Sequence, residues 1–429
     1  MQRRDFLKIA GAVPALNVLA AQTPGAAPTP ASKAPGPAPA SSPRTFVSGR
    51  ADGRFIETSG FVHAQLRALR PKLEYRPGMS RAEFTVWQSK VRAKLLELMR
   101  FPEVPPQPEP KRISTQPRQG YRLERWEAYP EPYSVVPFLM LVPDGVSAQS
   151  PAPAVMCFPG SFGSKESLAA EPEIGSPTTP TDAKWLDNRM AWHFAQRGSV
   201  ALAFDSPATN ELADDLDGPR PFSRPETSRK REIFSLYPIW MGRSLEGISV
   251  FQKATVLRWL AKQPFVDAKR IATSGHSLGS KPADILAVLY PELVAAVVHN
   301  DFVCNWHERC VALNLYAPGS HQVLPGVVDW FDYTDLQAAL APKPMLITEG
   351  GRANQIAKIR RAYELTGAPD AMQVFFYDKF ADPKTRKLDQ AEMPIGITME
   401  EYFEYAYVDV PDHQFHPQHA VPWLAKQFG

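Results

Sequence analysis

Residues Arg270–Leu289 read Arg-Ile-Ala-Thr-Ser-Gly-His-Ser-Leu-Gly-Ser-Lys-Pro-Ala-Asp-Ile-Leu-Ala-Val-Leu, and this stretch decides the fold class. Its first part, Ile271–Ser274, is an apolar run of the kind that forms a short buried strand. Its last part, Lys281–Leu289, has a proline in its first turn and favours a helix. The Gly-His-Ser-Leu-Gly between them is so short that the chain must turn sharply. The stretch therefore predicts a strand-turn-helix unit with Ser277 at the turn.

Similar apolar runs alternate with helix-like stretches on both sides of this unit. Alternating strands and helices predict an α/β fold with a mostly parallel, doubly wound sheet and helices on both faces. The carboxyl ends of such strands share one edge, where sites on open α/β sheets form. The strand-like runs are Ala152–Phe158, Ser199–Phe204, Leu293–His299, Pro344–Thr348 and Met372–Tyr377, and the helix-like stretches are Ala183–Arg197, Ile248–Lys262 and Gln355–Leu365.

The residues before the alternating region have a different pattern. Tyr121–Tyr129 and Tyr133–Val142 flank two prolines and predict an antiparallel hairpin. Residues 59–100 favour two helices, the second of which begins at a Ser80–Glu83 capping pair. We therefore predict a helical extension over residues 46–110 and a catalytic domain over 111–429, with insertions near 206–244 and 302–340 that leave the catalytic edge.

The N-terminus has the pattern of an export signal. Arg3 and Arg4 precede a short, interrupted apolar stretch that ends at Ala20 and Ala21. Residues 1–22 therefore predict a signal peptide of the twin-arginine type, and no membrane insertion after its removal. Residues 23–45 are rich in proline and alanine and predict a linker. The expected location is periplasmic or secreted.

Charge and cysteine content exclude several classes of protein. A net charge of +3 over 429 residues gives no field that favours nucleic acid, and no nucleic-acid motif is present. Three cysteines do not make a disulfide framework, although Cys304 and Cys310 are spaced so that they could pair in an oxidising compartment. With His307 they form Cys-x-x-His-x-x-Cys, one ligand short of a closed zinc site, so we expect no metal and no cofactor.

The Gly-x-Ser-x-Gly motif around Ser277 is weak evidence by itself, because a Gly-Ser loop of a dinucleotide-binding fold has the same residues. Its place between a strand and a helix is that of a nucleophile elbow, where a strained turn exposes the serine. A serine hydroxyl is a poor nucleophile at neutral pH and needs an adjacent base that an acid holds in place. Ser277 is therefore the predicted nucleophile.

The base and the acid should follow Ser277 along the chain in the order acid, then histidine. The sequence after the last strand-like run offers His413 as the base, with His416 as the alternative. Glu349, directly after Met345–Thr348, is the predicted acid. Asp301, after the preceding strand, is the alternative acid.

Two backbone N–H groups should stabilise an oxyanion near Ser277. The first belongs to Leu278, the residue after the nucleophile. The second should come from the glycine-rich loop after Ala152–Phe158, from Ser161 or Phe162.

Four stretches together resemble a known family. They are Pro-Gly-x-x-Gly-Ser-Lys-Glu at 159–166, the elbow, Thr348-Glu349-Gly350-Gly351 and the His-x-Phe with Pro422-Trp423-Leu424 near the C-terminus. They look like bacterial acetylxylan-esterase-like members of the dienelactone hydrolase superfamily, in the same order over about residues 50–429. The resemblance implies an α/β-hydrolase fold and a serine esterase that acts on small-molecule or carbohydrate esters.

Substrate contacts are the least defined part of the site. Lys281 follows the nucleophile by four residues, as in glucuronoyl esterases, but Leu278 stands where those enzymes have arginine. His276 lies inside the elbow, and the insertions bring Arg243, Trp306 and Trp330, which either contact substrate or pack the lid. Competing functions are a prolyl-oligopeptidase-type peptidase, a glucuronoyl-type esterase and a non-catalytic binding module. The sequence does not predict the oligomeric state.

Overall fold

The computed structural model describes residues 46–161, 163–172, 188–213, 224–315 and 319–429, without the side chains of residues 224–230 and 233. The predicted signal peptide (1–22), the linker (23–45) and Phe162 lie outside the described residues. Parts of both predicted insertions, 214–223 and 316–318, do so as well. Within the described ranges, no helix has both the length and the apolar character that crossing a membrane requires.

In the described part of the chain, nine strands form one sheet in the order β1-β2-β3-β5-β4-β6-β7-β8-β9. The pairs β1–β2, β2–β3 and β3–β5 are antiparallel, and the other five pairs are parallel. The predicted α/β class with a mostly parallel sheet is confirmed. The strands are β1 Lys111–Arg118, β2 Tyr121–Ala128, β3 Val136–Pro143, β4 Ala152–Phe158, β5 Val200–Phe204, β6 Val266–His276, β7 Ala296–Asn300, β8 Met345–Ile347 and β9 Met372–Val374.

Helices cover both faces of the sheet, as predicted. They are α1 Thr58–Ala68, α2 Arg81–Met99, α3 Lys165–Leu168, α4 Met190–Ala195, α5 Arg224–Trp240, α6 Leu245–Leu260, α7 Ser280–Leu289, α8 Trp306–Ala312, α9 Tyr333–Ala338, α10 Ala353–Thr366, α11 Met399–Ala406 and α12 Pro417–Phe428. Successive residues of β4 point into two different cores: Met156 packs with α2, α6 and α7, whereas Val155 and Cys157 pack with α4 and α12. This alternation is the period-two geometry of a strand buried on both sides.

The antiparallel part of the sheet differs from the prediction at its edge. The predicted hairpin is present as β2 and β3, which pair from Tyr121–Pro143 to Ala128–Val136. Strand β1 was not predicted, because it is largely exposed, polar and interrupted by Pro117. An edge strand of this kind has no apolar alternation, and its partner β2 supplies the pairing.

The parallel register aligns the strand ends that carry the predicted site. Phe158 at the end of β4 pairs with Gly275, His276 at the end of β6 pairs with Asn300, and His299 pairs with Ile347 of β8. The four loops that follow β4, β6, β7 and β8 therefore leave the sheet side by side. This edge is the one predicted to carry the site.

Candidate active site

The turn after β6 holds Ser277 in a strained conformation. Ser277 has φ +49°, in the left-handed region that side chains other than glycine rarely adopt. A Cβ atom at Gly275 would lie 2.0 Å from the carbonyl oxygen of Gly279, and one at Gly279 would lie 2.3 Å from that of Phe158. Both glycines are therefore required by close backbone contacts. The Ser280 hydroxyl donates to the carbonyl of Gly275 at 2.9 Å and closes the turn.

His413 and Glu349 form a short polar contact beside this turn. The Nδ1 atom of His413 lies 2.6 Å from Oε2 of Glu349. The second carboxylate oxygen accepts from the backbone N–H of Gln414 at 3.2 Å. Glu349 is fully buried, whereas 25% of the His413 side chain is exposed. A buried carboxylate on one ring nitrogen and a partly open ring is the arrangement that a base for a serine requires.

The protonation of this pair follows from its surroundings. Burial alone would raise the pKa of Glu349, but the charge of His413 and the hydrogen bonds from His413 and His416 outweigh it and lower the pKa well below its usual range. The neighbouring ring of His276 lies 4.7 Å from that of His413. Burial and the charge of His413 lower the pKa of His276 to about 3, so His276 stays neutral.

Asn300 holds the loop that delivers His413, and the sequence analysis missed it. Its side-chain amide donates to the carbonyl of Gln414 at 2.7 Å, and its oxygen accepts from the N–H of His416 at 3.0 Å. Thr348 donates to the same oxygen at 2.7 Å. A fully buried asparagine at the end of β7 thus joins the acid loop to the histidine loop. Its only sequence signal is its position at a strand end.

The two alternative residues lie close to the pair but in different roles. His416 places Nε2 3.4 Å from Oε1 of Glu349, is itself buried and does not line the cavity. Asp301 lies in the cavity wall with Ser277 and His413 and accepts from the N–H of Phe302 at 2.9 Å. Burial raises the pKa of Asp301. The Nδ1 atom of His413 is bonded by Glu349, so Asp301 does not occupy the orienting position.

Two of the predicted oxyanion donors, Leu278 and Ser161, lie in the cavity of Ser277, and the third, Phe162, is outside the described residues. Leu278 follows Ser277 in the turn, and Ser161 belongs to the loop after β4. A Cβ atom at Gly160 would lie 2.7 Å from Nδ1 of His276, so this loop packs directly on the elbow. Such contact is possible only for a glycine, which lets backbone N–H groups approach the reacting atoms.

A buried lysine anchors the far end of that loop, and the sequence analysis did not predict this role. Lys165 places Nζ 2.8 Å from Asp205, 2.9 Å from Glu166 and 2.6 Å from Glu211. The side chains of Lys165 and Asp205 are fully buried. Burial alone would lower the pKa of Lys165, but the charges of Asp205 and Glu166 raise it. The cluster ties α3, which begins directly after the loop, to the end of β5.

Ser277, Leu278 and His413 open onto a cavity of about 200 Å³. One part of its wall follows the sheet edge and contains Ser161 and Asp301. A second part comes from α7 and the second insertion and consists of Lys281, Phe302, Cys304, Trp306, Arg309, Gln322, Tyr333 and Gln337. A smaller third part comes from the chain before His413, with Phe403, Val408 and Val410.

The predicted substrate contacts fall into two groups. Lys281 and Trp306 line the cavity, where Nζ of Lys281 lies 3.3 Å from the centre of the indole ring and 2.5 Å from Oε1 of Gln322. Burial lowers the pKa of Lys281 to about 7. His276, Arg243 and Trp330 do not line it. Arg243 is paired with Glu131 at 2.8 Å, and Trp330 lies under Lys94 and Lys72.

The histidines and cysteines also bear on metal binding. Among the described residues, His276, Glu349 and His413 bring donor atoms within 4.8 Å of one another. A cation there would displace the 2.6 Å hydrogen bond between His413 and Glu349, so this group fits a hydrogen-bonded triad better than a ligand set. Cys157, Cys304 and Cys310 are all free thiols in the structure.

A mostly parallel sheet with an antiparallel first part, a serine elbow after its central strand and a histidine loop after its last strand define an α/β-hydrolase. The chain belongs to the Abhydrolase family, whose pattern it matches over residues 39–426. No curated protein matches it.

Solved structures agree with this family. The chain is 36% identical to a Bacteroides fragilis protein provisionally assigned as an acetyl xylan esterase, with a TM-score of 0.80 over 89% of this chain and 97% of that one. The predicted resemblance to acetylxylan-esterase-like α/β-hydrolases is thereby confirmed. A methylesterase matches at 15% identity and TM-score 0.51 over 85% and 74%, and a glucuronoyl esterase from Teredinibacter turnerae at 15% and 0.50 over 85% and 90%. These two show the fold alone.

Proposed function

We propose that the chain is an exported serine carboxylesterase that hydrolyses short acyl esters of carbohydrates. The observation that carries the proposal is one cavity in which a strained serine and a histidine with a buried carboxylate partner meet. The left-handed region is unfavourable for serine, and backbone strain of this kind is typical of functional sites. At Ser277 the strained turn serves to expose the hydroxyl group.

In the proposed reaction, the hydroxyl oxygen of Ser277 attacks the ester carbonyl while His413 takes its proton. Glu349 stays ionised, holds the ring of His413 by Nδ1 and stabilises the imidazolium that forms. The N–H of Leu278 and that of Ser161 or Phe162 stabilise the negative oxygen. The protonated His413 then donates to the leaving alcohol, and a water molecule releases the acid by the reverse sequence.

Similarity to the Bacteroides fragilis protein supports an acetylated carbohydrate as the substrate. The cavity wall supports it too, because Lys281 and Gln322 offer donors to hydroxyl oxygens beside the rings of Trp306 and Tyr333. Sugars present this mixture of hydroxyl groups and apolar C–H faces. The twin-arginine pattern of residues 1–22 supports export to the periplasm or beyond, where such polymers occur.

Two measurements test the proposal. Acid release from an acetylated xylo-oligosaccharide should exceed that from a methyl glucuronate ester and from a proline-containing peptide anilide. A fast reaction with the second or third would move the function to a glucuronoyl-type esterase or a peptidase. A fluorophosphonate should also label Ser277 in the native protein, and an unlabelled serine would leave only the binding-module alternative.

A further inference from the structure

A second cavity, of about 220 Å³, lies beside the catalytic one. The two share three wall residues, Trp306, Gln322 and Tyr333. The proposed reaction uses no residue that lines the second cavity alone. Protein interiors are close-packed, so a space of this size that adjoins the catalytic cavity is a candidate binding site.

The wall of the second cavity is mostly hydrocarbon. Leu66 of α1, Leu95 of α2, Ile285 of α7 and Phe331 of the second insertion come together there. An apolar group would therefore be buried on several sides, which favours its transfer from water.

Most of the polar side chains in this wall have partners of their own. Asp332 accepts from the N–H groups of Trp306, His307 and Tyr333 at 2.7–3.0 Å. The ring of His307 is bonded to the carbonyl of Leu66. Gln322 accepts from Lys281. These groups present few unsatisfied polar atoms to an occupant.

Glu246 is the exception. It lines the cavity and is only 5% exposed, and its Oε1 atom has no hydrogen-bond partner among the described residues. An unpartnered buried carboxylate oxygen is costly and is satisfied best by a donor from an occupant. The occupant should therefore combine an apolar body with a hydroxyl group.

We propose that the second cavity binds a hydroxylated aromatic ring carried by the ester substrate, with the ring hydroxyl donating to Glu246. The size fits, since a dry apolar cavity of about 150 Å³ already takes benzene. The shared wall places the ring beside Trp306 and Tyr333, where aromatic side chains prefer offset or edge-to-face contact. This inference rests on the proposed esterase function and names part of its substrate.

The test compares esters that differ only in the ring. Methyl 3-(4-hydroxyphenyl)propanoate and methyl 3-phenylpropanoate are compared with methyl propanoate, and 2-(4-hydroxyphenyl)ethyl acetate and 2-phenylethyl acetate are compared with ethyl acetate, by titration of the released acid. In at least one series kcat/KM should rise about tenfold with the ring, and the phenol should exceed the plain phenyl compound. The series that responds tells which side of the ester the ring belongs to.

Variants locate the effect. Val328 lines the second cavity and not the first, and Val328→Trp fills it. The preference for ring-bearing esters should fall about tenfold in Val328→Trp. The same substitution at Val86, which is 54% exposed on α2, should leave the preference unchanged. Glu246→Leu should remove the preference for the phenol over the phenyl ester. If that variant does not fold, Val328→Trp still tests whether the second cavity binds the ring.

A binding measurement separates this proposal from the esterase function. 4-Ethylphenol should bind Ser277→Ala protein in isothermal titration calorimetry and should not bind when Val328→Trp is added. Binding without any ester turnover by the wild-type enzyme would contradict the esterase function alone. Equal ring preference in Val328→Trp and Val86→Trp, or binding of 4-ethylphenol without a preference for ring-bearing esters, would overturn the substrate subsite.

Discussion

Two walls of the catalytic cavity are built in different ways. One wall consists of short loops that leave adjacent parallel strands and includes Ser277 and Leu278. One of these loops also carries Glu349, which is buried and does not line the cavity. The other wall comes from α7 and the second insertion and carries Lys281 and Trp306. Backbone pairing fixes the first wall to the register of β4, β6, β7 and β8. Side-chain contacts such as Lys281–Gln322 hold the second.

This difference separates chemistry from recognition. A ladder of parallel strands fixes the distance between loop ends, as attack on an ester requires. Insertions are joined to the sheet only at their ends, and they change size and sequence without disturbing it. We therefore expect substitutions in the sheet-borne wall to lower kcat and substitutions in the insertion-borne wall to raise KM.

Replacing the nucleophile should have the largest effect. In Ser277→Ala the attacking oxygen is gone, and kcat on a short acyl ester should fall by about 10⁵–10⁶-fold. The alanine also removes no packing, so the thermal unfolding midpoint should stay close to that of the wild type. If the variant kept more than about a tenth of kcat, Ser277 would not be the nucleophile.

Replacing the acid should have the next largest effect. Glu349→Gln keeps the shape of the side chain but leaves the ring of His413 without an anionic partner, and kcat should fall about 10³–10⁴-fold. Steady-state kinetics with the same ester measures the loss. The matched control is Asp301→Asn, which should stay within about tenfold of the wild type. The reverse order of the two losses would make Asp301 the acid and would contradict the assignment of Glu349.

The acid should also stay ionised over the whole working range of pH. The pKa of Glu349 is lower in the folded protein than in the unfolded chain. The ionised side chain therefore stabilises the fold fully above the unfolded pKa, and this stabilisation is lost only as the pH falls through the folded pKa. A decline of activity between pH 5 and 8 should therefore not come from Glu349.

The loop anchor predicts a loss of stability. Lys165→Met leaves the buried carboxylate of Asp205 without its cation and Glu166 with only the 3.7 Å contact to Arg125, and the free energy of unfolding should fall by about 3–5 kcal/mol. Chemical denaturation at pH 7 measures it, and lowering the pH should recover part of the loss by protonating the carboxylates. Lys387→Met, at an exposed pair with Glu404, serves as the control and should cost about 1 kcal/mol or less. Equal losses would mean that Lys165 is not an anchor.

The two walls also differ in what the sequence reveals. The elbow, the parallel strands and the order Ser277, Glu349, His413 follow from local patterns. A short apolar run or a glycine-flanked turn is encoded in a few adjacent residues and can be recognised from them alone. Strand β1 has no such pattern, since it is exposed and polar. The joining role of Asn300 depends on loops that lie more than 40 residues away from it along the chain. Likewise, nothing local distinguishes Trp306, in the cavity wall, from Trp330, which lies outside it.

Lys281 should make KM depend on pH. Its pKa of about 7 means that the ammonium group is protonated below that pH and neutral above it. Because a charged donor binds a sugar oxygen more strongly, KM for an acetylated xylo-oligosaccharide should rise about threefold to tenfold between pH 6 and 8.5. Steady-state kinetics across this range measures the change. In Lys281→Met the KM should be high at every pH, and a wild-type KM independent of pH would show that Lys281 does not contact the substrate.

The smallest effect should come from Trp330, although it belongs to the same insertion as Trp306. Its ring lies 3.9 Å from Nζ of Lys94 and 4.6 Å from that of Lys72, outside the cavity wall, and its carbonyl accepts from the N–H of Leu73 at 2.7 Å. Trp330→Phe keeps the backbone bond and an aromatic face, so kcat/KM should stay within about twofold of the wild type. Trp306→Phe is the matched variant. It replaces the indole ring that contacts the ammonium group of Lys281 with a smaller ring, and it should raise KM about fivefold with kcat unchanged. A tenfold loss in Trp330→Phe would mean that packing beneath the insertion reaches the catalytic cavity. The division into a sheet-borne wall for chemistry and an insertion-borne wall for recognition would then be too simple.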